Sequence, residues 1–164
     1  MFDKQLKQAV VDTHCIHGWD FFVTATLQPN ASRTSMEDVL YAWVGRVNRY
    51  YLGRYWNRYA DEKMQGIVFF ESRGGHHAHM MVKPPAGASL LHFALYARDF
   101  FFHRSEMNQP LLRPVTKKGH MKLDRVTSAE DREKTLAYSA KSLEYQFNKG
   151  DWKYLDHLAA RQVV

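Results

Sequence analysis

A single cysteine, Cys15, leaves no disulfide framework and no zinc site built on thiolates. A reducing interior, and hence the cytoplasm, is the natural home for such a chain. No run of about 18 apolar residues occurs, which excludes a transmembrane helix. The start, Met1-Phe2-Asp3-Lys4-Gln5-Leu6, lacks the basic-then-apolar build of a signal peptide. There is no low-complexity tract, internal repeat or Ser/Gly linker. There is also no glycine-rich phosphate loop or dinucleotide fingerprint, so nucleotide-binding domains of those types are set aside. What is present is ordinary: 164 residues, 45% hydrophobic and 24% charged, the size of one domain with a real core.

The formal charge is +6, from 23 basic and 17 acidic residues. An excess of this size favours a polyanionic partner only weakly, and its placement says more. Arg46, Arg49, Arg54 and Arg58 recur along one helical stretch. Arg113, Lys117, Lys118, His120, Lys122 and Arg125 crowd a second. Solubility alone accounts for such a pattern, and a surface that tracks phosphates accounts for it too.

Residues 3–14 suit a short leading helix. Residues 19–27 (WDFFVTATL) are aromatic and β-branched and read as a strand closed by Pro29-Asn30. Thr34 or Ser35 can cap a helix running to about Tyr59. Residues 66–71 (GIVFFE) and 76–83 (HHAHMMVK) flank Gly74-Gly75, a strong hairpin signal. A second amphipathic helix is expected over 89–103, and one or two strands within 111–126. Ser128 then caps a helix carrying Glu130, Asp131 and Glu133 in its first turn and reaching about Tyr145. A short final helix is expected over 152–161. Hairpins interleaved with helices indicate an α+β fold with a central antiparallel sheet, and argue against a doubly wound parallel one.

Alternation along the second hairpin strand puts His77, His79 and Met81 on one face and Ala78, Met80 and Val82 on the other. The two imidazoles then sit roughly 6–7 Å apart at Cα, within reach of one ion. A turn centred on Gly74 sets Glu71 directly opposite His77 and diagonal to His79. Two imidazoles and one carboxylate leave coordination positions open, which suits a catalytic divalent ion that also holds a phosphate oxygen. Imidazoles favour zinc, nickel or manganese, while phosphate chemistry favours magnesium or manganese; the expected cofactor is Mn2+ or Mg2+. Parity turns His76 away from this set unless a β-bulge intervenes.

In residues 135–145 (TLAYSAKSLEY), Tyr138 and Lys141 are three apart and face one way, with Tyr145 on the same side. Taken alone, this stripe reads as packing. A phenol ordinarily titrates near 10 and is a poor nucleophile at neutral pH. A nearby ammonium and a metal-polarised phosphate would help it. Tyr138 is then a nucleophile, and Lys141 offsets charge on the phosphate or leaving group. Tyr145 is first a packing residue, with a second nucleophile or a base-stacking surface as the alternatives.

Together these segments resemble the HUH endonuclease superfamily, especially the rolling-circle replication initiators (Rep proteins) of plasmids, phages and small DNA viruses. Residues 21–27 (FFVTATL) look like its first motif, His77-Ala78-His79 like its His-hydrophobic-His signature, and Tyr138-Ser139-Ala140-Lys141 like its Tyr-x-x-Lys motif. The order is the expected one, and the resemblance covers about residues 19–149. It implies a single domain over 1–164 with a ferredoxin-like sheet, and Glu71 as the acidic third ligand. It also implies single-stranded or hairpin DNA as substrate, nicked and rejoined through a transient 5′-phosphotyrosine link. Larger initiators carry a helicase domain, so the resemblance leaves this chain as either a standalone enzyme or a nuclease domain separated from one, with a helicase partner or a missing helicase domain as the corresponding expectation. Single-tyrosine transposases acting on palindromic hairpins share the metal pair and helical tyrosine; Lys141 leans towards replication. Relaxases place the tyrosine before the histidines, unlike this chain. A DNA-binding module without chemistry and a metal phosphodiesterase that activates water are the remaining alternatives.

Lys117, Lys118 and Lys122 are the expected DNA contacts, and Arg73 lies beside Glu71 in the turn, near the expected scissile phosphate. His14 and His17 flank Cys15 but lack a fourth ligand. Trp19, Trp43, Trp56 and Trp152 are expected in or near the core.

Overall fold

The computed structural model describes residues 2–27, 31–71, 77–102, 119–141 and 152–155. The helices are α1 (Phe2–His14), α2 (Arg33–Leu52), α3 (Leu90–Phe102) and α4 (Ala129–Ser139). The strands are β1 (Phe21–Leu27), β2 (Gln65–Glu71), β3 (His77–Lys83), β4 (Gly119–Arg125) and β5 (Trp152–Tyr154). They form one five-stranded sheet in the order β4-β1-β3-β2-β5, with each neighbouring pair antiparallel. The fold is α+β, with helices on both faces of the sheet. No helix among the described residues is long and apolar enough to cross a membrane.

Alternation sorts the strands between two cores. One face buries Phe21, Val23 and Ala25 of β1 and Ala78, Met80 and Val82 of β3 beneath Leu40 and Trp43 of α2 and Phe93 and Phe101 of α3. The other buries Ile67, Phe69 and Met81 beneath Val10 and Val11 of α1, Leu136 of α4 and Ala140 at the C-terminal cap of α4. Trp19 and Trp43 are buried, and each indole N–H donates to a carbonyl, His14 O at 2.8 Å and Ala97 O at 2.7 Å. Trp56 and Trp152 are half-buried.

Helix ends follow local chemistry. Ser32, rather than Thr34 or Ser35, caps α2: its Oγ accepts the Ser35 N–H at 3.0 Å. That helix stops at Leu52, short of the expected Tyr59. Gly53 takes φ +80°, and its N–H donates back to Arg49 O at 2.9 Å, which closes the last turn. A short 3-10 turn, Trp56–Arg58, follows. Ser128 caps α4 as expected, accepting the Asp131 N–H at 3.0 Å.

Residues 152–154, expected to open a helix, instead form β5. Trp152 pairs with Phe69 and Tyr154 with Ile67, which extends the sheet beyond β2. The following Leu155 packs where only a glycine fits. A Cβ on Gly66 would lie 2.5 Å from Leu155 Cδ1 and 2.7 Å from the Met81 carbonyl oxygen.

The basic stretch of α2 is less uniform in space than in sequence. Arg46 is half-buried and donates to Phe100 O at 3.4 Å. Arg54 and Arg58 both lie over the Tyr55 ring, at 5.6 and 4.8 Å from its centroid. On α3, the half-buried His92 meets the Tyr51 hydroxyl at 2.7 Å and stacks on Tyr96 at 4.2 Å.

His14 is buried, stacked on His17 and edge-on to Trp152 and Tyr154. Burial, reinforced by the charge of His17, holds its imidazole below the ordinary value. The folded state therefore favours the neutral ring. Stability from this residue is greatest above the unfolded pKa near 6.5 and falls as pH drops through that value. His14→Phe keeps a ring in place and cannot titrate. Thermal melts at pH 7.5, 6.5 and 5.5 should show a smaller acid-induced fall in Tm for this variant than for the parent.

Candidate functional site

The hairpin register is the one that a turn centred on Gly74 requires. Glu71 pairs with His77, Phe70 with Ala78 and Phe69 with His79. Glu71, His77 and His79 therefore share one face of the sheet, the face covered by α1 and α4. Across β3, Thr26 of β1 pairs with His77 and Thr24 with His79. One strand further, β4 sets His120 beside Thr26 and Lys122 beside Thr24. Two rows run across the sheet, His120-Thr26-His77-Glu71 and Lys122-Thr24-His79-Phe69.

His79 is the anchor of the cluster and is only 6% exposed. Its Nε2 lies 3.2 Å from Glu71 Oε2 and its Nδ1 lies 3.2 Å from Thr24 Oγ1. Phe22, on the same face of β1, stacks on the imidazole at 5.7 Å and an interplanar angle of 17°. Burial is the main influence on this ring and lowers its pKa; the hydrogen bond and charge of Glu71 oppose that, while Lys141 and His77 add to it. A neutral imidazole is the form that ligates a metal. With a neutral ring, the contact with Glu71 is a hydrogen bond rather than an ion pair. His77 is less buried, and its Nδ1 meets Thr26 Oγ1 at 3.0 Å.

Helix α4 brings the second half of the site. Leu136 and Ala140 anchor it in the core, and its C-terminal end carries Tyr138 and Lys141 to the His79 end of β3. The Tyr138 ring meets His79 edge-on at 5.3 Å and Phe22 edge-on at 6.2 Å. Tyr138 is nevertheless 50% exposed, so the ring is held on one side and open to solvent on the other. Lys141 bridges the two halves: its Nζ is 3.4 Å from Glu71 Oε2 and 4.1 Å from the Tyr138 ring centroid. Burial works against its charge, but hydrogen bonding to Tyr138 and the negative charge of Glu71 prevail and hold its pKa above the ordinary value.

Five residues singled out in the sequence thus gather in one place: Glu71, His77, His79, Tyr138 and Lys141. Lys122 is exposed on the same face and paired with Asp124 at 2.8 Å. Arg73, His76, Lys117, Lys118 and Tyr145 lie outside the described residues. Phe22, Thr24 and Thr26 also belong to the site; they lie in the stretch 21–27 that resembles the first motif, where the sequence alone assigns them no individual role, and strand alternation puts all three on one face.

The donor set suits a divalent ion in kind: two imidazoles and a carboxylate on one face, with each Nδ1 occupied by a hydroxyl, although Nε2 of His79 is itself engaged by Glu71. Among the described residues, no three His, Cys, Asp or Glu side chains are already drawn close enough to hold an ion. Glu71 Oε2 is instead shared between His79 and Lys141.

No family model, curated protein or solved structure matches the chain.

Proposed function

We propose that the protein is a metal-dependent endonuclease and strand transferase of the HUH type, acting on single-stranded or hairpin DNA through Tyr138. The observation that carries this reading is the junction at Lys141. One ammonium touches both the carboxylate offered as a metal ligand and the phenol offered as nucleophile. Tyr138 and Lys141 lie about 60 residues or more along the chain from the Glu71–His79 hairpin, and packing alone does not call for these chemistries at one spot. The topology supports it too: β1-α2-β2-β3-α3-β4 with spatial order β4-β1-β3-β2 is the order that the proposed ferredoxin-like sheet would have.

In this mechanism Glu71, His77 and His79 would hold Mn2+ or Mg2+, which when bound would polarise a non-bridging oxygen of the scissile phosphate. Tyr138 Oη, losing its proton, forms a bond to phosphorus as the bond from phosphorus to the 3′ oxygen breaks. The departing oxygen takes up a proton, leaving a free 3′-hydroxyl and a 5′-phosphotyrosine. Phe22 and His79 hold the phenol ring, and its exposed side leaves room for the strand to approach. The charge on Lys141, favoured by its surroundings, offsets negative charge on the phosphate. Attack by a 3′-hydroxyl reverses the reaction, so rejoining needs no ATP. Lys122, on the exposed part of the same face, is the DNA contact assigned from the described residues. Initiation of rolling-circle replication is the favoured role, with hairpin transposition as the other use of the same chemistry.

The test is incubation with single-stranded hairpin oligonucleotides and Mn2+, followed by a denaturing gel. A slowly migrating protein–DNA adduct together with a 3′-hydroxyl fragment is expected. Cleavage without an adduct would replace Tyr138 by activated water. Binding without cleavage over a broad oligonucleotide library would leave a DNA-binding module.

A further inference from the structure

We infer that Thr24 and Thr26 are positioning residues that aim the imidazoles of His79 and His77 at the bound ion, an inference that rests on the metal reading above. Each threonine is directly opposite its histidine in the β1–β3 ladder, Thr24 against His79 and Thr26 against His77. Each hydroxyl meets the ring nitrogen on the near side, Nδ1, at 3.2 and 3.0 Å. The pairing is the same twice over, two residues apart on both strands, so both rings are tethered in one sense and both present Nε2 to the far side. For His79 that far side is Glu71, 3.2 Å away.

Threonine suits this task for two reasons. Its β-branch restricts the side chain to few rotamers, so the hydroxyl is held where the ladder sets it. A hydroxyl also both donates and accepts, which a backbone carbonyl or a carboxylate does not. In the neutral His79 ring, the hydrogen bond to the Glu71 carboxylate requires N–H at Nε2, so Nδ1 accepts from the Thr24 hydroxyl. Ligation through the Nε2 lone pair would require the proton on Nδ1, and Nδ1–H would then donate to Thr24 Oγ1. The same threonine supports both tautomers without releasing the ring. This also gives a chemical reason for the polar positions of a strand whose other face is wholly apolar.

Thr24→Val and Thr26→Val preserve shape and β-branching but remove the hydroxyl; Thr→Ser restores it. Mn2+ affinity by calorimetry should fall about 10–100-fold in the double valine variant and return to within about threefold in the double serine variant. Melting temperature reports any simple loss of folding. Nitrogen-15 NMR of histidine-labelled, metal-free protein should show the Nδ1 resonances of His77 and His79 shifting in the valine variants and recovering with serine. Valine variants that bind Mn2+ as tightly as the parent, while His77→Ala and His79→Ala do not, would overturn the inference and leave the metal site standing. A parent protein that binds no Mn2+ through His77 and His79 would overturn the metal-aiming role along with the metal site. In that case the NMR shifts would show whether the hydroxyls order the rings for another purpose.

Discussion

Tyr138→Phe is expected to abolish the covalent protein–DNA adduct and to cut strand cleavage by at least about 10³-fold, while folding and DNA binding stay intact. The substitution removes one oxygen from a ring that is 50% exposed, and keeps the edge-on contacts with His79 and Phe22. What it loses is the phenol oxygen proposed as the nucleophile, while the Lys141 ammonium keeps its place 4.1 Å from the ring centroid. Denaturing gels report the adduct, fluorescence anisotropy reports DNA binding, and a thermal melt checks the fold. An adduct that survives in Tyr138→Phe would transfer the nucleophile's role to Tyr145. A purely packing role for Tyr138 would instead leave cleavage near the parent level.

The second large effect is expected at His79. Its replacement by Ala removes the most buried member of the proposed ligand set, which Thr24, Glu71, Phe22 and Tyr138 all touch. Losing one ligand from a site that stabilises charge in the transition state should cost about 3 kcal/mol or more, roughly 10²-fold or greater in Mn2+-dependent cleavage. His79→Ala also leaves a cavity between Phe22 and Tyr138, and a stability loss of about 2 kcal/mol is expected alongside. His77→Ala separates the two effects, because His77 is less buried and should lose cleavage with little change in Tm. Single-stranded DNA binding should change only slightly in either variant, since the proposed phosphate contacts are exposed basic groups such as Lys122. Equal loss of binding and cleavage, with a collapsed Tm, would mark these histidines as structural.

The hairpin was legible because its rules are local. Period-two alternation and a turn centred on Gly74 leave one register, and in that register Glu71 faces His77. Other parts of the chain were decided by partners distant in sequence. Three residues, Trp152 to Tyr154, are too few to show a strand period; the open edge of β2 makes them a strand. The end of α2 turned on the backbone angle of Gly53, a stop signal inside an otherwise helical run. The threonines at 24 and 26 belong to the stretch that resembles the first motif, but their partners are set by the β1–β3 ladder, which puts an imidazole against each hydroxyl.

The sequence by itself determined the α+β class, the hairpin with its histidine–carboxylate face, and the cap that starts α4, all consequences of side-chain alternation and short-range hydrogen bonding. Only the tertiary structure decided that Tyr138 and Lys141 meet that face. An amphipathic helix with an aromatic stripe can pack its rings anywhere on a sheet, and nothing within it specifies which end of β3 it covers. That choice comes from burying Leu136 and Ala140 against the α1 side of the sheet, which leaves Tyr138 against His79 and Lys141 between the phenol and Glu71.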